Sequence, residues 1–76
     1  MKLERSMGGL SLKIQDKSIY FDKAWFEQIR VMPYENIGDY IRKTIYPSLS
    51  DEERQIWFKS QISNKELFQV IRDFQY

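Results

Sequence analysis

The sequence predicts an α+β domain, predominantly helical, in which a short N-terminal β-hairpin packs on a compact bundle of about four helices. Three observations predict it: apolar and polar residues alternate over residues 10–21, apolar residues recur at helical spacing from Trp25 onward, and two serine–glutamate capping boxes stand in succession, Ser50 with Glu53 and Ser63 with Glu66. A chain of 76 residues makes one domain. At that size only roughly 60% of the unfolded surface is hidden on folding, so a deep substrate cleft would compete with the core.

Residues 1–9 end in the pair Gly8-Gly9 and show no sustained period, so they are expected to be a flexible N-terminal arm, a tail or a docking strand, ahead of a single small globular domain over residues 10–76. Leu10, Leu12 and Ile14 alternate with Ser11 and Lys13, a polar stretch Gln15 to Ser18 follows, and Ile19 and Phe21 flank Tyr20. That is a half-buried hairpin, and because two strands alone are marginal it must lie against helices. Its turn carries no glycine.

Asp22 stands where a helix N-cap belongs, and Phe21 and Phe26 are spaced as a hydrophobic staple. A helix from Lys23 to Val31 is expected, with Trp25, Phe26, Ile29 and Met32 on one stripe and Pro33 ending it. The next helix is expected from Tyr34 or Asn36 to Ile45, burying Ile37, Tyr40, Ile41 and Ile45, and closed by Pro47. Gly38 in its first turn costs about 1 kcal/mol relative to alanine. The first capping box opens a helix through Ser60 that carries Ile56, Trp57 and Phe58, and its acidic first turn suits the positive end of the helix dipole. The second box opens a helix to Phe74 with Leu67, Val70, Ile71 and Phe74 as its stripe and Ile62 with Leu67 as a second staple.

Composition excludes several functions. Histidine and cysteine are both absent, which removes thiolate chemistry, disulfides and the usual transition-metal ligands. Asp22, Asp51, Glu52, Glu53 and Glu66 read as caps or first-turn residues, and Gly8-Gly9 lacks the spacing of a phosphate loop, so no catalytic residue, metal or cofactor is expected and the protein is not expected to be an enzyme. Twelve basic against eleven acidic residues leave a net charge of +1, without the basic excess of a general nucleic-acid binder. No stretch approaches the ~20 apolar residues of a membrane span, and no helix pairs a basic face with a strong apolar one, so no membrane role is expected. The first ten residues hold no apolar run of signal-peptide length, and with cysteine absent a soluble, unprocessed, cytoplasmic protein is expected.

What remains is aromatic surface. Two Trp, five Tyr and five Phe residues, 16% of the chain, exceed what so small a core easily hides. Adjacent helical positions point about 100° apart, so Trp57 and Phe58 cannot both face the centre of one narrow interface. Trp57, Phe58 and Phe68 are therefore the expected anchors of a protein-binding or self-associating patch, with Lys59, Lys65 and Arg72 as its rim and Tyr76 counted among the surplus rings. No small-molecule substrate is expected. The usage of Ile, Lys, Asn, Phe and Tyr is of the kind an AT-rich bacterial or phage genome encodes, which points to a small regulator or inhibitor. The alternative is a nucleic-acid-binding regulator resembling a helix-turn-helix, built from the two capped helices with Asn64, Lys65, Phe68, Gln69 and Arg72 outward; against it, Glu66 and Asp73 share that side, Trp57 stands where such motifs place a small residue and Gln61 where they place glycine.

Overall fold

The computed structural model describes residues 1–75 and has the expected class, a small antiparallel sheet followed by four helices. The sheet is a meander of three strands in the order β1, β2, β3, at Lys2–Ser6, Gly9–Ile14 and Lys17–Phe21. The expected hairpin is β2–β3, with Leu12 opposite Ile19 and Leu10 opposite Phe21. Leu3, Leu10, Leu12, Ile14, Ile19 and Phe21 are buried on one face, as a strand period of two requires.

The flexible arm expected over residues 1–9 is corrected by the structure: residues 2–6 are β1, paired with β2 so that Leu3 meets Leu12. Backbone pairing makes this strand, because Leu3 is the one buried side chain it contributes. Gly8 is what allows it. The two-residue connection Met7-Gly8 holds Gly8 at φ +83°, the positive value that a type II turn demands at its second central position. The β2–β3 turn makes the same kind of demand on Gln15, at φ 56°.

Helix α1 spans Lys23–Val31, capped by Asp22, whose carboxylate accepts from the Ala24 N–H at 2.8 Å. Trp25, Phe26 and Ile29 are buried, and Trp25 meets Phe21 edge to face at 5.4 Å. Helix α2 runs over residues 34–48, beginning as a 3-10 turn at Tyr34–Asn36 and widening into a π turn at Ile41–Ile45. Pro47 does not close it, which is a second correction. A proline here has no N–H for the Lys43 carbonyl and its ring would strike that carbonyl. The π turn relieves the conflict by looping the backbone out one residue: the Tyr46 N–H reaches back to the Ile41 carbonyl, and helical geometry resumes at Tyr46–Ser48.

Arg54 joins α2 to helix α3, Asp51–Lys59. Its guanidinium donates to the Tyr46 carbonyl at 2.8 Å, which also accepts the Leu49 N–H, and to the Pro47 carbonyl at 3.2 Å, so it ties carbonyls in the last turn of α2 to α3. Both halves of the Ser50–Glu53 capping box are formed. Helix α4, Asn64–Asp73, is capped by Ser63, which accepts from the Glu66 N–H at 3.0 Å. It packs on α1, α2 and β1, while α3 packs on β3 and meets the end of α2 through Trp57 and Tyr46.

Where α2 crosses the start of α4, a Cβ added to Gly38 would lie 3.1 Å from the Asn64 side-chain nitrogen. The contact is with the end of an exposed side chain, which can move. Gly38→Ala is therefore expected to raise stability by up to about 1 kcal/mol through helix propensity, read as a higher urea midpoint. A fall would show that Asn64 is held in place.

Candidate functional site

Trp57 and Phe58 divide as the helical turn requires. Trp57 turns inward, 6% exposed, and meets Tyr46 edge to face at 6.3 Å. Phe58 turns outward and is 75% exposed. Of the three expected anchors, Trp57 is thus a core residue, because α3 places it against the π-turned end of α2. Around Phe58 the surface forms a groove of about 360 Å3 whose walls are Tyr46, Trp57, Phe58, Gln61 and Ile62. Gln61 shapes its end with φ 52°, the left-handed conformation that ends α3 and starts the turn into α4.

Phe68 is not in this groove. It is half-buried on α4, edge to face with Tyr34 at 5.3 Å, and the Arg72 guanidinium lies 4.6 Å from its ring centre. The expected rim residue Arg72 thus covers an aromatic face of its own helix. Lys65 is exposed in the first turn of α4. Lys59 is exposed on the other flank of α3, where it lines a second cleft with the β2–β3 turn. The six residues therefore fall in three places, and the one patch expected of them is not formed. Tyr76 lies outside the described residues.

Tyr46, Gln61 and Ile62 are the groove residues that sequence reasoning did not assign. Ile62 was expected to serve as a staple, and it is half-buried against the core. The signal for Gln61 is the helix-turn-helix comparison itself: the position where glycine is usual does take a positive φ, filled here by glutamine. On α4, Gln69 donates to the Asp73 carboxylate at 3.0 Å, so two of the outward side chains, Gln69 and Arg72, already have partners within their own helix.

Among the described residues no polar or charged side chain is buried, and no group of three or more acidic residues is placed to hold a metal ion. The Tyr40 phenol has a pKa raised above 10.0, by burial first and then by the Asp22 carboxylate. The neutral phenol is the form the fold favours, so its contribution is complete at neutral pH and is lost as pH rises through that raised value. No helix among the described residues is long and apolar enough to cross a membrane. Comparison with protein-family models, curated proteins and solved structures finds no match.

Proposed function

We propose that this chain is a small, non-enzymatic protein-binding module, a cytoplasmic regulator or inhibitor that docks a folded partner at Phe58 and the groove beside it. The observation that carries the reading is the exposure of Phe58, 75%, next to a tryptophan that the core has absorbed. An exposed phenylalanine is a cost to solubility, and beside an apolar groove it gives an anchor with little side-chain entropy to lose. The groove walls, Tyr46, Trp57 and Ile62, suit an aliphatic or aromatic side chain from the partner. Near-neutral net charge favours a partner chosen by shape over one drawn by a long-range field.

Phe58→Ala is expected to weaken partner binding at least about tenfold while leaving the thermal melt unchanged, since the ring contributes little to the core. The check is to capture partners with the tagged wild-type and variant chains, with and without nuclease, and to measure affinity for whatever the wild type retains. Equal retention by both chains removes Phe58 as the anchor. Retention that disappears with nuclease moves the nucleic-acid reading to first place.

A further inference from the structure

The free edge of β3 offers a second opportunity, independent of Phe58. In the β2–β3 hairpin, Tyr20 points its N–H away from β2, and Glu53 of α3 accepts that proton at 3.1 Å. Ser18 lies two residues back, so its N–H and C=O point to the same edge. Neither group has a hydrogen-bond partner among the described residues. Beyond Ser18 the sheet and α3 diverge, and a cleft of about 350 Å3 opens between the β2–β3 turn and α3. Its apolar lining is Ile14 and Ile56, and Gln55 adds an amide. Lys17 and Lys59 are balanced there by Asp16 and Glu52, so the cleft presents no net charge to select a phosphate or a metal ion.

We infer that this edge and cleft bind a short extended peptide, which adds one strand residue to β3 at Ser18. A residue opposite Ser18 would exchange two backbone hydrogen bonds with it, the unit of antiparallel pairing. Side chains alternate along an extended chain, so the next partner residue turns to the face occupied by Ile14 and Lys17 and enters the cleft. An apolar side chain fits between Ile14 and Ile56. The segment is short because Glu53 already occupies the Tyr20 N–H and α3 blocks the edge beyond it. The same obstruction disfavours pairing with the sheet of a second copy of this chain, which would need the whole length of the edge.

The test is selection of seven-residue peptides from a random display library on the immobilised full chain, followed by titration of the selected peptides as synthetic probes. Peptides with one apolar residue beside the paired position are expected, and on binding they should slow hydrogen exchange at the Ser18 amide. Ser18→Pro removes the outward N–H while leaving the β2–β3 ladder intact, since proline is tolerated on a strand edge that faces solvent. It should weaken binding about tenfold, the effect of one lost hydrogen bond and an obstructing ring. Phe58→Ala should bind the peptides as the wild type does, which separates this site from the groove. Should Ser18→Pro fail to fold, Gln55→Trp fills the cleft and should abolish binding. Unaltered Ser18 exchange, undiminished binding by the variant that folds, or a selection that yields only Phe58-dependent peptides overturns the inference.

Discussion

Trp57→Ala is expected to destabilise the domain by about 3–5 kcal/mol, the range for removing a large buried aromatic side chain and leaving a cavity. A domain of this length has roughly 4–11 kcal/mol in total, so the variant is expected to be marginal or unfolded at 25 °C. Trp57 is 6% exposed, and its edge-to-face contact with Tyr46 holds α3 against the end of α2. Its neighbour Phe58 supplies the internal control, because alanine there should cost less than about 0.5 kcal/mol. Urea denaturation followed by tryptophan fluorescence measures both, from Trp25 alone in Trp57→Ala and from Trp25 and Trp57 together in Phe58→Ala. Similar midpoints for the two variants would mean that Trp57 is not in the core. Loss of the cooperative transition in Phe58→Ala would put that ring there instead and remove the proposed docking anchor.

The contrast between those two neighbours marks the limit of what the sequence discloses. The 100° step between them is local geometry and needs no structure. Which of the two faces inward depends on where α2 ends, and that depends on the π turn at Ile41–Ile45. Nothing in the apolar spacing of Ile37, Ile41 and Ile45 announces that turn, since Ile37 and Ile41 keep the ordinary helical interval. Pro47 was the available sign. Read as a terminator it ends the helix too early; read as a residue that the helix must accommodate, it places the strain about one turn upstream.

Features settled by residues close in sequence were legible. Asp22, Ser50 and Ser63 cap the helices expected of them, because a cap needs only a side-chain oxygen two or three residues from a free N–H. Strand β1 was not legible, because its hydrogen bonds come from the backbone and Leu3 is its one buried side chain. The candidate site divides in the same way. That Trp57 and Phe58 point to different sides belongs to the helical period, whereas the contact of Phe68 with Tyr34 joins residues from α4 and the start of α2, and no local rule brings them together.

Glu53→Ala is expected to cost about 2 kcal/mol, although the residue lies in the first turn of α3 and is only half-buried. Its two carboxylate oxygens serve different elements. One accepts from the Ser50 N–H at 2.9 Å and completes the capping box; the other accepts from the Tyr20 N–H at 3.1 Å, across 33 residues of sequence, and fastens the edge of β3 to α3. The Ser50 hydroxyl still accepts from the backbone N–H at position 53, so the loss is of two hydrogen bonds to a charged acceptor, each contributing about 1 kcal/mol when partly exposed to water. Glu53→Gln separates the two roles. The amide has one acceptor oxygen, so it can satisfy either Ser50 or Tyr20 while its NH2 group faces the other N–H, donor against donor. It should therefore lose about half the stability that alanine loses. Ser50→Ala removes the serine side of the box and leaves Glu53 free to hold Tyr20. Amide exchange distinguishes the variants: exchange at Tyr20 should accelerate in Glu53→Ala and remain slow in Ser50→Ala. If Tyr20 exchanges at the same rate in both, the carboxylate does not close the strand edge, and the β3 edge lies open along its whole length to extended partners.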